Sequence, residues 1–278
     1  MSRAFGVSYF GTRDLRHARR DLDEIAGAGF GAVTHTLSEH DLRYHRDDVR
    51  RLIEETRARE LEAQLDPWGV AGLFGGEAYA ELALTDPGVR QVDATGRSVP
   101  AACPNAPAVR ELLLAWTRTA SELGADVLFW DEPHFYLGAY GELRPVPRCC
   151  RCAHCERAWS ARGGDGPLPA EGAPALEAFR ADTLRDLLAA CIAAAPAPVR
   201  HSVCLLPRGE FAGAGTDAWD AFARIDGVDR LATDPYWMDR PVDPAEFVRE
   251  HARALRPLCD ARDAEMEIWV QGIRIPAG

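Results

Sequence analysis

Two groups of residues in this chain have the types and spacing for chemistry. The first is the adjacent pair Asp131 and Glu132, which ends the apolar run Val127, Leu128, Phe129 and Trp130 in the segment GADVLFWDEPHFY. Two acids at the end of a buried strand are costly unless they are paired or put to use. General acid/base work suits such a pair; helix capping or a salt bridge to a loop arginine is the plain alternative. Because side chains alternate along a strand, one acid is expected to face a cleft and the other the wall behind it. A further strand-end carboxylate is Asp234 of TDPYW. The second group is the run RCCRCAHCERAW, holding Cys149, Cys150, Cys152 and Cys155, with Cys103 in a separate long stretch upstream. A tetrahedral zinc site takes four thiolates or imidazoles at about 2.0–2.3 Å, and tight pairs such as C-x2-C supply two ligands at little loop-closure cost. The expected ligands are Cys103, Cys150, Cys152 and Cys155, with Cys149 or His154 as substitutes and reduced thiols without metal as the alternative. Four thiolates close the coordination shell, so this zinc would be structural, stapling two long loops together. Cys191, Cys204 and Cys259 lie in apolar contexts and read as buried small hydrophobes.

The elements that must position these residues follow from periodicity. Short β-branched or aromatic runs at 5–10, 32–37, 62–65, 127–131, 201–205, 231–233 and 266–271 alternate with helical patterns at 14–28, 46–60, 107–123, 174–194, 217–225 and 243–261. In the helix over 107–123, Val109, Leu112, Leu113, Trp116 and Ala120 share one face, as a half-buried helix requires. Asp243, with Glu246 three residues on, marks a helix start by the capping-box pattern. Strand then helix, repeated, implies parallel strands with right-handed crossovers. No G-x-G-x-x-G follows the first strand, so a dinucleotide-binding doubly wound sheet has no support. Polar and aromatic residues gather instead just past the strands: Ser8 and Tyr9, His35, Asp66 and Trp68, Asp131 and Glu132, Asp234 with Tyr236 and Trp237, and Gln271. Barrels build their active sites there. The expected fold is an α/β chain of (β/α)8 TIM-barrel type, a single domain over 1–278, with irregular stretches at 69–105 and 134–173 forming a zinc-bound subregion. Counting elements, Gly278 falls just after the seventh strand. The eighth unit is therefore expected to be missing, either because the product is truncated or because a partner or a second copy closes the open side.

Composition narrows the function. The chain has 278 residues and a formal net charge of −11, which argues against nucleic acid as a partner. No apolar run approaches the roughly 20 residues that span a bilayer, and MSRAFGVSYF shows no secretory h-region, so no membrane partner and a cytoplasmic location are expected. All 32 basic residues are arginine, a bias that goes with the Ala-, Arg- and Gly-rich coding and that excludes lysine-based chemistry.

With these residues in place, the chain resembles the (β/α)8 glycoside hydrolases of clan A, and within them the family-42 β-galactosidases and related glycosidases. In those proteins the fourth strand ends in a small polar residue followed by the Glu that acts as general acid/base. A C-x-C-x2-C loop follows, and a cysteine from the preceding long loop completes its zinc. Here Asp131–Glu132, Cys150-x-Cys152-x2-Cys155 and the upstream Cys103 match in order and spacing, over roughly residues 60–160. The resemblance implies that Glu132 protonates the glycosidic oxygen of a carbohydrate substrate. It also puts Asp131 where the family has Asn, exchanging a donor for an acceptor near a sugar hydroxyl. Clan A places its nucleophilic Glu at the end of the seventh strand, where alternation from Glu267 through Trp269 puts Gln271. Glu267 lies about two layers deeper, at ~3.3 Å per residue. The expected second carboxylate is therefore Asp234, unless a residue beyond the C-terminus supplies it. Trp68, Tyr236 and Trp237, with Tyr9, Phe135, Tyr136 and Trp269, suit the faces of sugar rings, and His35 and His134 suit hydroxyls. Two rival readings are a catalytically inactive sugar-binding barrel, which Gln271 favours, and a zinc-thiolate methyltransferase barrel, which needs an open metal position.

Overall fold

In a computed structural model, residues 5–138, 148–196, 198–211, 213–237 and 240–272 are described. The strands are β1 (Gly6–Ser8), β2 (Ala32–Thr36), β3 (Glu62–Asp66), β4 (Arg90–Val92), β5 (Ser98–Ala102), β6 (Val127–Asp131), β7 (Arg200–Leu205), β8 (Arg230–Thr233) and β9 (Glu265–Ile268). Seven of them pair in the order β1-β2-β3-β6-β7-β8-β9, every neighbour parallel. This is the curled, helix-wrapped sheet of a TIM-like α/β fold. The helices are α1 (Leu15–Gly27), α2 (Glu39–Tyr44), α3 (Arg46–Arg57), α4 (Glu81–Thr85), α5 (Pro107–Glu122), α6 (Ala153–Ala161), α7 (Pro174–Ala194), α8 (Trp219–Ala223) and α9 (Pro244–Asp260).

Alternation along the strands sorts side chains into two layers. Val33 packs outward with Ala18 and Leu22 of α1 and Leu52 of α3. Leu128, Trp130, Val203 and Leu231 likewise belong to the main core shared with α5, α7 and α8, and Trp116 of α5 donates its indole N–H to the Leu37 carbonyl at 2.7 Å. The inner face is different. Phe129, Cys204, Ala232 and Trp269 fill one level of it. Glu267 meets Ser202 at 3.2 Å and Arg230 at 3.1 Å. Arg230 also reaches Glu62 and Glu265, and these carboxylates hold its guanidinium charged against the cost of burial.

Asp243 caps α9 by accepting the Glu246 N–H at 2.7 Å. The two stretches read as irregular carry structure of their own: β4 and β5 form an antiparallel hairpin, and α6 starts directly after Cys152. Elements of three to nine residues show too few periods to register in a sequence pattern. The last strand stops at Ile268, short of the expected 271, so Gln271 lies beyond it. Among the described residues no helix is long and apolar enough to cross a membrane.

Candidate active site and metal centre

Three strand ends deliver the carboxylates. Asp66 ends β3, Asp131 ends β6 with Glu132 next to it, and Asp234 follows β8. Asp131 is in register with Cys204 of β7, and Cys204 with Ala232 of β8, which sets these ends side by side. Asp66 is fully buried, and neither of its oxygens has a hydrogen-bond partner. Burial pushes its carboxyl well above the usual range, and the neighbouring Asp131 and Glu132 add to the shift. Asp131 is raised by burial and then by Glu132 and Glu267. Asp234 is raised by burial and then by the neighbouring Glu132 and Asp131. Burial and the same acids push up the Tyr236 phenol. The physical cause is shared: like charges out of water cannot all ionise.

Strand alternation predicts that Asp131 and Glu132 diverge; the structure brings them together. Glu132 adopts φ +45, the left-handed region that a non-glycine residue enters at a cost of order 1–3 kcal/mol. Its N–H is still tied to the Cys204 carbonyl at 3.1 Å, after which the chain turns, and His134 N–H meets the Leu73 carbonyl at 2.8 Å. His134 also donates from Nδ1 to the Glu132 carbonyl. The left-handed step breaks the alternation and returns the Glu132 side chain toward Asp131. Gly75 shows the result. A Cβ built on it would sit 2.2 Å from Asp131 Oδ2 and 3.3 Å from Glu132 Oε2. Gly75→Ala is therefore expected to displace the Asp131 carboxylate at a stability cost of about 1–3 kcal/mol, which a thermal melt beside the parent would check.

The other expected site residues divide. Trp68 packs against Phe10, with ring centroids 4.5 Å apart and planes tilted by 55°, and its ring covers Gly76, next to Gly75. Tyr236 follows Asp234, and the Trp237 N–H is accepted by the Gln271 side chain at 3.0 Å. The structure does not bring His35 to the acids. It shares the outward face with Val33, its Nε2 meets Thr56 of α3 at 2.8 Å, and burial lowers its pKa to about 4. Glu267, held by Arg230 and Ser202, is committed to the inner ion-pair network. Asp66, noticed in the sequence only as a strand-end residue, belongs to the acid group, and the signal for it was its position at the end of an inward-alternating run with Gln64.

The raised carboxyls have a consequence for stability. The unfolded chain releases such protons near the ordinary value of 3.8, whereas folded Asp66 and Asp234 hold them higher. Their stabilising share is therefore complete below that value and is lost as pH rises through the folded values. Asp66→Asn, which has no charge to bury, is expected to melt higher than the parent at pH 8. The gap should close toward pH 4, a trend that melts across this range would reveal.

The sulfurs of Cys103, Cys150, Cys152 and Cys155, all buried, lie within 4.8 Å of one another, and Cys103 Sγ is 3.5 Å from Cys155 Sγ. Tetrahedral zinc–thiolate geometry requires sulfur–sulfur separations of about 3.8 Å, so the four residues fit one metal ion. Backbone and amide donors face the sulfurs and would orient them as metal ligands: Val92 N–H to Cys150 at 3.4 Å and Asn105 Nδ2 to Cys155 at 3.4 Å. Cys149 is outside the group, and burial pushes its thiol up to about 12. His154 is half-buried and turned to the Gly88 carbonyl at 3.2 Å. The four cysteines join the end of the β4–β5 hairpin to the start of α6.

No protein-family model matches the chain, and no curated protein does. Solved structures match by fold. They include a GH20 exo-β-N-acetylglucosaminidase from Vibrio harveyi (TM-score 0.53, 10% identity, 99% of this chain and 51% of that one). An endo-β-1,4-mannanase from Thermotoga petrophila matches with TM-score 0.52 and 10% identity over 98% of this chain and 62% of that one. The spore cortex-lytic enzyme of Bacillus cereus matches with TM-score 0.51 and 9% identity over 95% and 49%. The chain spans about half the length of the first of these structures. At this identity the likeness establishes a shared TIM-like fold.

Proposed function

We propose that the chain is a glycosidase: it hydrolyses a glycosidic bond at the acid cluster, with Glu132 as general acid/base and Asp234 as the second carboxylate. The observation that carries this reading is the convergence of Asp66, Asp131, Glu132 and Asp234 at the carboxyl ends of barrel strands. Glycosidic cleavage passes through an oxocarbenium-like transition state. Positive charge developing there favours ionisation of Asp66, Asp131 and Asp234, which burial and neighbouring acids bias toward the protonated form, so the cluster binds the transition state more strongly than the substrate. Glu132 would protonate the leaving oxygen and Asp131 would accept from a sugar hydroxyl. Trp68, Tyr236 and Trp237 offer ring faces, His134 anchors the Glu132 backbone, and Gln271 holds Trp237. Two of the structural neighbours are an N-acetylglucosaminidase and a mannanase, which agrees with a carbohydrate substrate. The likeness to family 42 rests on the Asp131–Glu132 and cysteine spacing.

In this reading the chain forms one barrel domain, and zinc is held by Cys103, Cys150, Cys152 and Cys155. Zinc there supplies cross-linking of two loops. Four buried thiolates leave it no open position, which disfavours methyl transfer on the metal. The eight cysteines form no disulfide, in keeping with a reducing cytoplasm. A panel of aryl glycosides tests the function, since turnover lost in Glu132→Gln supports it. Gln271, tied to the Trp237 N–H where clan A has its nucleophile, favours a second reading as a sugar-binding barrel. Calorimetric sugar binding without turnover by the parent protein would select that reading.

A further inference from the structure

We propose that the acid cluster recognises a sugar carrying a protonated amine, so that the substrate at the mouth is an unacetylated amino sugar. The inference rests on the glycosidase reading and adds the class of sugar. Hydrolysis itself needs two carboxylates, yet the site holds four. Asp66 is entirely buried with both oxygens lacking a donor, and Asp234, 4% exposed, has one oxygen in the same condition. Buried polar atoms in a native protein almost always find partners, so these three oxygens mark where a ligand's donors belong.

The charge of that ligand follows from the surroundings. The leading charges felt by Asp66, Asp131 and Asp234 are all carboxylates. The chain contains no lysine. Arg230, on the inner face, is engaged by Glu62, Glu265 and Glu267. A neutral hydroxyl would satisfy an orphan oxygen and leave the mutual repulsion untouched, whereas an ammonium donates to that oxygen and brings the opposite charge. A bare metal ion fits less well. Among the described residues the only group with three or more ligand atoms within 4.8 Å of one another is the four cysteines. A sugar ring with an amine and hydroxyls spreads its donors over several ångströms. Trp68 and Tyr236 beside the acids add aromatic faces that favour a cation.

The arrival of an ammonium should also release protons. Asp66, Asp131 and Asp234 hold theirs because of burial and of one another, Glu132 and Glu267 being the other acids facing them, with Tyr236 and the Cys204 thiol alongside. A neighbouring positive charge lowers carboxyl pKa values, so the amine enters with its own proton and carboxyl protons leave to the buffer.

The experiment is calorimetry of the full chain with glucosamine, N-acetylglucosamine and glucose near neutral pH, in two buffers of different ionisation heat. The expected result is glucosamine binding about ten-fold or more tighter than either neutral sugar, with net proton release for glucosamine alone. The preference should fall toward unity in Asp66→Asn and in Asp234→Asn, each first shown folded by a thermal melt. Glucosamine binding no tighter than glucose, including no binding, overturns the inference, as does a preference that survives in both variants. Because binding is read without turnover, the two readings separate. Hydrolysis of neutral aryl glycosides with no amine preference leaves the glycosidase standing and removes the amino sugar. Amine-selective binding with no hydrolysis of any glycoside does the reverse.

Discussion

Glu132→Gln is expected to fold normally and to hydrolyse an aryl glycoside about 10²–10⁴-fold more slowly than the parent, the range typical for loss of a general acid. Gln is close in size to Glu and keeps the backbone bonds that place this residue, the N–H to the Cys204 carbonyl and the carbonyl accepting from His134. The left-handed backbone at φ +45 is set by those contacts, so the substitution changes the proton supply and little else. It also removes one of the charges that raise Asp66, Asp131 and Asp234. The same variant should therefore melt no lower than the parent at neutral pH, and a higher melting point would accompany the lost activity. Such an exchange of stability for function is common where a site holds strained or repelling groups. Paired measurements of kcat and Tm check both halves. Hydrolysis at an undiminished rate would remove Glu132 from the chemistry.

The second large effect concerns the metal. Zinc analysis of the purified chain is expected to give one ion per molecule, and Cys155→Ser to lose it. Cys155 is fully buried and sits between Cys103 Sγ and Asn105 Nδ2, so its thiolate has no substitute nearby. Losing a structural metal belongs to the largest class of single-residue effects, about 4 kcal/mol or more, which for a chain of this size is roughly 8–16 °C in Tm. The unlinked hairpin and α6 would then contribute little order to each other. A structural metal makes a further distinction. Whatever fraction of Cys155→Ser remains folded should keep its activity per folded molecule, whereas a catalytic metal would take all activity with it. An unchanged melting temperature with zinc absent would refute the stapling role.

Much of this architecture was legible in the chain because it is written in local periods. The helix expected over 174–194 and the strand over 127–131 match α7 and β6 residue for residue, since both are long or strongly apolar and sharply bounded. The cap at Asp243 was equally local. The cysteine spacing pointed to Cys150, Cys152 and Cys155, because a C-x-C-x2-C run has few ways to present its thiols, and the fold brings Cys103 to them from a separate stretch.

What the tertiary structure decided are the properties that depend on distant neighbours. Asp66 became a member of the acid group only when β3 and β6 paired and buried it away from every donor. Asp131 and Glu132 meet rather than diverge because contacts from β7 and the Leu73 turn hold Glu132 in a backbone state that no strand rule contains. His35, polar and near a strand end, lies on the Val33 face toward the helix layer, where α3 supplies Thr56 as its partner. Residue types and short spacings determine which groups are available and which elements carry them. Their electrostatics and their partners are many-body properties, settled by which strands end beside one another.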